Sequence, residues 1–222
     1  MTAHSSEGVI RFEVQHEQRP LDERVFGDTT RALAAWREVL AHLRLLGRDP
    51  ARYEGLGYGN VSARVGPFGD VARGRRRFLV TGTQTAGLAH ATLREFCLVE
   101  SWDVAANRVT SCGLVAPSSE SLTHAALYDA SPATRVVLHA HAPQLWRSAR
   151  ALGLPVTDAA AQNGTPAMAV EIARLYKEGT LASTRLAAMG GHEDGVIALG
   201  ASAEEAGGVL VRYVARALAL AP

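Results

Sequence analysis

Apolar residues recur at helical spacing between positions 30 and 46, where Leu33, Trp36, Val39, Leu40, Leu43 and Leu46 form one stripe that stops at Gly47. The pattern predicts an amphipathic helix over residues 30–46. Partial alternation over residues 9–14 predicts an N-terminal strand. Short strands are predicted at 61–65 and 77–81, and a hairpin from 96–102 and 108–112 around the turn 103–107. From Pro117 a helix is expected to run to about residue 130. Ser118 or Ser119 would cap it, and Glu120 would lie in its first turn, where the helix dipole favours an anion. A strand over 135–142 and helices near 144–151 and 166–176 follow, then a late strand at 196–199. Ser202-Ala203-Glu204-Glu205 reads as a capping box for a final helix to about residue 220. Mixed strands, helices and short hairpins predict one α/β domain whose mixed, largely antiparallel sheet is covered by helices.

Composition narrows the classes. With 222 residues and 47% hydrophobic content, the chain has enough material for a sizeable core. No apolar stretch approaches the roughly 18 residues of a membrane span. The first twenty residues carry Glu7, Arg11, Glu13, Glu17 and Arg19 in place of a signal-peptide core, so a cytoplasmic location is expected. A net charge of +1 offers no bulk attraction to nucleic acid, and Arg73, Arg75, Arg76 and Arg77 read as a solvated turn before a strand. Cys97 and Cys112 lack CxxC spacing and read as buried thiols. The single lysine, Lys177, sits at an expected helix end beside Glu178 and Gly179, a poor setting for the desolvated, low-pKa amine of a Schiff-base enzyme.

Histidine placement brings in candidate chemistry. His139-Ala140-His141 closes the apolar run Val136-Val137-Leu138, and in a strand residues i and i+2 share a face, so both imidazoles can converge on one divalent cation. His192, in Gly190-Gly191-His192-Glu193-Asp194-Gly195 at the mouth of the late strand, is a further candidate ligand, or else a turn residue. His124 lies four residues after Glu120 and reads as a hydrogen-bonded helix residue. His4, His16, His42 and His90 read as surface or packing residues. Gly57-Tyr58-Gly59-Asn60 lacks the spacing and the strand–helix context of a dinucleotide loop, although an anion-binding nest of backbone N–H groups remains physically reasonable.

Five segments in order carry a resemblance. They are Gly59-Asn60-Val61-Ser62-Ala63-Arg64, Leu79-Val80-Thr81-Gly82-Thr83, Pro117-Ser118-Ser119-Glu120, His139-Ala140-His141, and the late histidine before an apolar strand. Together they resemble the class II aldolase/adducin family, whose enzymes include fuculose-phosphate aldolase and ribulose-phosphate epimerase, across roughly residues 30–220. The resemblance implies a three-layer α/β/α fold around a mixed, largely antiparallel sheet. It also implies an N-terminal extension over 1–28 followed by the family domain over 29–222. Its zinc ligands match His139, His141 and His192, and its acid–base carboxylate matches Glu120. Substrate phosphate contacts match Asn60, Thr83, Ser118 and Ser119. Many members are four-fold tetramers with active sites between subunits, so a homotetramer is expected.

Three positions depart from the family pattern. Gln84 stands where the motif has glycine directly after the Thr83 match, so it joins the candidate substrate contacts and can crowd a phosphate. His192-Glu193-Asp194-Gly195 is two residues longer than the usual His-Gly, which brings in Glu193 or Asp194 as a competing ligand or base. No tyrosine occurs near Asp158-Ala159, where the fuculose enzyme has its proton donor. The resemblance therefore implies a zinc-dependent (alternatively manganese-dependent) aldolase-type lyase. It would make or break a carbon–carbon bond in a small sugar phosphate or hydroxy-carbonyl compound through a metal-stabilised enediolate. An epimerase, dehydratase or decarboxylase on the same scaffold is one alternative, and a non-catalytic adducin-like interaction protein is another.

Overall fold

The computed structural model describes residues 9–220. Residues 1–8 and 221–222, and with them His4 and the beginning of the expected N-terminal extension, lie outside the described residues. In chain order the elements are β1 (Glu13–Gln18), α1 (Glu23–His42), β2 (Gly47–Arg48), β3 (Gly57–Tyr58), β4 (Asn60–Arg64), β5 (Phe78–Thr81), β6 (Phe96–Asp103), β7 (Arg108–Gly113), α2 (Ser121–Ala130), β8 (Val136–His141), α3 (Pro143–Ser148), α4 (Pro166–Lys177), α5 (Leu181–Thr184), β9 (Leu186–Ala188), β10 (Gly195–Gly200) and α6 (Ala203–Ala219).

Eight strands form one sheet in the order β1-β7-β6-β5-β4-β8-β10-β9, and β2 pairs with β3 separately. Only β1–β7 is parallel; every other pairing in the large sheet is antiparallel, as the hairpin pattern predicts. Strand alternation sorts the apolar side chains into two cores. Val61, Ala63, Leu79, Leu138, Val196 and Ala198 pack with Leu33 and Leu40 of α1, Leu145 of α3 and Leu210 of α6. Phe78, Val80, Val137, Ile197 and Leu199 pack with Leu122 and Leu127 of α2 and Met168 and Ile172 of α4. The result is the three-layer α/β/α arrangement. It also determines where the chemistry lies: on β8, His139 and His141 alternate with Leu138 and Ala140, so they face the α2 side.

Several boundaries differ from the sequence reading for identifiable reasons. Helix α1 begins at Glu23, because the Asp22 carboxylate caps the Arg24 amide at 2.9 Å; it ends at His42. The apolar residues beyond it leave the helix, with Leu45 and Leu46 buried and the Leu45 carbonyl accepting from the His141 amide at 2.8 Å. Residue 28, the expected edge of the N-terminal extension, lies inside α1. The first strand occupies Glu13–Gln18, later than residues 9–14; as an exposed edge strand it needs little apolar alternation. At the last helix only half of the expected capping box forms. Ser202 Oγ accepts from the Glu205 amide at 3.2 Å, while the Glu205 carboxylate turns to the Ala201 amide at 2.7 Å. Among the four arginines expected in a solvated turn, Arg76 and Arg77 are half-buried and donate to the Tyr128 and Gly66 carbonyls. Cys97 and Cys112 are buried free thiols, and no helix among the described residues is long and apolar enough to cross a membrane.

Candidate metal centre

Sheet register assembles the site. β4 pairs with β8 so that Asn60 stands opposite His139, and β10 pairs with β8 so that Gly195 stands opposite His141. The chain before Gly195 therefore turns over the end of β8 and delivers His192. Two turns shape this segment, with the His192 amide donating to the Met189 carbonyl at 3.1 Å and the Gly195 amide to the His192 carbonyl at 3.0 Å. Behind it, Gly191 bridges Gln162 and the Gly190 amide donates to Thr157 Oγ1 at 2.8 Å.

His139, His141 and His192 converge. One ring nitrogen from each lies within 4.8 Å of the others, and the residues are 1%, 0% and 5% exposed. Ring centroids are separated by 5.1 Å (His139–His141), 4.9 Å (His139–His192) and 4.7 Å (His141–His192). His139 Nδ1 lies 3.1 Å from the Val196 carbonyl, the contact that orients a ring and directs Nε2 away from it. Three buried imidazoles facing one another form an all-nitrogen donor set suited to a borderline-soft divalent cation. The chain is thus chemically fit to hold one there.

Glu120 approaches the same group, its Oε1 lying 3.9 Å from His192 Nδ1. The expected placement of Glu120 in the first helical turn is corrected: it is the N-cap of α2 itself, with φ −89° and ψ 8°, in the sparsely populated region between helix and strand. Neither Ser118 nor Ser119 is the cap. Ser118 instead shapes the preceding turn, its carbonyl accepting from the Ser121 amide at 3.0 Å and from Ser121 Oγ at 2.7 Å. Thr123 Oγ1 donates to Glu120 Oε2 at 2.8 Å, which leaves Oε1 as the oxygen on the imidazole side.

The other candidates gather in a crevice beside this carboxylate, lined by Asn60, Gly82, Thr83, Gln84, Ser118, Ser119 and Glu120. A bridge between Gly82 and Pro117 and the bond from the Thr83 amide to the Ala116 carbonyl, 2.9 Å, join the two segments. Gly82 is sterically required at this crossing, because a Cβ there would lie 2.3 Å from Val115 Cγ2. Gln84 occupies the left-handed region at φ 59°, with its side chain exposed at the rim.

Glu193 and Asp194 do not join the histidine group. Glu193 is exposed, and the Asp194 carboxylate accepts from the Tyr53 hydroxyl at 2.8 Å. Tyr53 itself, its ring centroid 4.6 Å from that of His141, is not marked as a site residue by any sequence motif. Its only local sign is an aromatic residue ahead of a glycine-rich loop. Asp158 and Ala159 line a separate cleft of about 910 Å³ behind the Gly190 segment.

His124 is the hydrogen-bonded helix residue that the sequence suggests. It is fully buried, with Nδ1 2.7 Å from Ser62 Oγ, which in turn lies 2.6 Å from the Tyr128 hydroxyl. Burial pulls its pKa down from 6.5 to about 3, so the folded chain keeps it neutral while the unfolded chain protonates it below 6.5. The unfolded state then binds the extra proton, and stability falls as pH drops from 6.5 toward 3. Thermal melts across that window should show a shallower acid slope for His124→Asn than for the parent; equal slopes would contradict this assignment.

A family model described as the class II aldolase and adducin N-terminal domain matches residues 37–217. The chain belongs to the class II aldolase/adducin family. Three solved structures illustrate the family fold. L-fuculose-1-phosphate aldolase from Thermus thermophilus is 18% identical, with TM-score 0.61 over 87% of this chain and 93% of that one. A sugar-phosphate aldolase from Thermotoga maritima is 15% identical, with TM-score 0.65 over 88% and 94%. The N-terminal class II aldolase domain of a conserved protein from Thermoplasma acidophilum is 17% identical, with TM-score 0.59 over 86% and 92%. At these identities the likeness is one of fold. No curated protein sequence matches the chain.

Proposed function

We propose that this chain is a metal-dependent aldolase-type lyase acting on a small sugar phosphate or hydroxy-carbonyl compound. The observation that carries the reading is the buried group of His139, His141 and His192 with the Glu120 carboxylate 3.9 Å from His192. The three histidines would hold the ion, with zinc favoured by the nitrogen donors and manganese the alternative. When bound, a divalent cation polarises a substrate carbonyl and its neighbouring hydroxyl and stabilises the charge left when a carbon–carbon bond breaks.

The rest of the chemistry belongs to the chain. Glu120 Oε1 takes the proton of the reacting substrate hydroxyl as that oxygen becomes a carbonyl and the carbon–carbon bond breaks, and gives the same proton to the carbon left with the bonding pair; condensation retraces both transfers, while Thr123 fixes the other oxygen. Asn60, Thr83, Gln84, Ser118 and Ser119 hold the far end of the substrate in the adjoining crevice. The serines stand just ahead of α2, whose N-terminus favours an anion. An interaction module without chemistry has no use for three converging imidazoles beside a carboxylate, so the enzymatic reading is preferred. We further propose a homotetramer with sites near subunit interfaces, in keeping with the family resemblance.

A panel of phosphorylated and free ketoses, aldoses and hydroxyacids, assayed with added zinc or manganese, tests this reading. Carbon–carbon cleavage of one member would support it, and turnover confined to epimerisation, dehydration or decarboxylation would replace it. Within the panel, Ser119→Ala should raise KM for phosphorylated substrates by about 10- to 100-fold, the worth of a hydrogen bond of ~1.5–3 kcal/mol to a charged group. Equal effects on unphosphorylated compounds would remove phosphate from the assignment.

A further inference from the structure

Beside the histidine group lies a cluster that the proposed chemistry does not use. Arg52 Nη2 donates to the Tyr53 hydroxyl at 2.7 Å, and that hydroxyl donates to Asp194 Oδ2 at 2.8 Å, joining segments 141 residues apart. The direction of the second bond follows from the first, because a guanidinium can only donate. Arg52 is itself held by the Tyr58 hydroxyl at 3.2 Å and by the Arg44 carbonyl at 3.1 Å, with its guanidinium 4.6 Å from the Tyr58 ring centroid.

The two tyrosine rings of this cluster bear on His141, and Asp194 bears on the residue after it. The Tyr53 ring meets the His141 imidazole edge-on at 4.6 Å and 71°, and the Tyr58 ring lies 5.5 Å from it. Asp194 sits in the turn between His192 and Gly195, and its carbonyl accepts from the amide of Ala142, the residue after His141, at 2.9 Å. A single phenol therefore touches one candidate ligand and anchors the turn that presents another.

The backbone on both sides of the Tyr53–Asp194 bond visits an uncommon region. Tyr53, Glu54 and Asp194 lie in the left-handed region at φ 48°, 57° and 61° without being glycine. Such residues persist where the surroundings determine them strongly, and they concentrate at functional sites.

From this geometry we infer that Tyr53 is a positioning residue for the metal centre. Its ring fixes the imidazole plane of His141, and its hydroxyl, through Asp194, locks the His192 turn against the end of β8. The inference rests on the metal reading given above. It assigns no proton transfer to Tyr53.

Cobalt binding to the full-length chain, by competition with a chromophoric chelator and by its visible absorption spectrum, tests it. Tyr53→Phe keeps the ring and removes the bond, Asp194→Ala removes the acceptor, and Asp194→Asn keeps an acceptor oxygen. Both bond-removing variants should weaken cobalt about 10- to 100-fold, the usual effect of losing a group that orients a ligand, and should alter the spectrum. The double variant Tyr53→Phe/Asp194→Ala should bind no more weakly than the poorer single variant, because both remove one shared bond. Asp194→Asn should stay within about threefold of the parent, as a retained acceptor requires. Variants that bind cobalt like the parent, or a double variant whose loss is the sum of the singles, would overturn the inference alone. A parent chain that binds no cobalt would overturn it together with the metal reading.

Discussion

Replacing Glu120 with glutamine should lower kcat about 10²- to 10⁴-fold, the usual contribution of a positioned acid–base group, while metal content stays at the parent value. The substitution keeps shape and an oxygen that can accept from Thr123, so the cap of α2 and the turn from Ser118 to Ser121 should survive. What disappears is a carboxylate able to take a proton next to the imidazoles. Steady-state kinetics combined with elemental analysis separates the outcomes. Loss of turnover with metal retained fits an acid–base role, whereas an unchanged kcat would remove Glu120 from the mechanism.

Gly191→Ala should produce the largest structural effect of a single added methyl group. A Cβ at this position would fall 1.9 Å from the Ala161 carbonyl oxygen and 2.5 Å from its carbon, so one of two backbone segments must move. Overpacking of this kind costs about 1–3 kcal/mol where neighbours can relax, and a backbone carbonyl relaxes poorly. The displaced segment carries His192, the next residue. The Tm should fall and metal affinity should fall with it. A variant with the parent's Tm and parental metal affinity would show that the crossing of the Ala161 and Gly191 segments does not position His192.

Much of this architecture was legible in the chain because it follows from local periodicity. Strand alternation in the buried run Val136–His141 leaves two histidines as the polar positions on one face, and that placement needs no partner strand to be inferred. The hairpin of β6 and β7 and the final helix were likewise written in short-range pattern. Elements whose boundaries depend on distant contacts leave a weaker mark in the sequence. The residues after His42 look helical by spacing, yet they turn away because Leu45 pairs with His141. The three-residue strand β9 has too little length for alternation to register, and its place comes from pairing with β10. Glu120 stands one step before the first helical turn that the local pattern predicts for it, since the Ser118 turn and not a serine cap begins α2. Tyr53 was illegible for the same reason on a larger scale: its partner Asp194 is 141 residues away, and only the folded sheet brings them together.

The most direct test of the central claim is metal content matched to activity. Purified, untagged protein should carry about one transition metal per chain, as a mononuclear catalytic site requires. Removing it with a chelator should abolish carbon–carbon bond cleavage, and adding back zinc or manganese should restore it. Metal-free protein whose activity ignores chelators would contradict the assignment of His139, His141 and His192 as a metal centre.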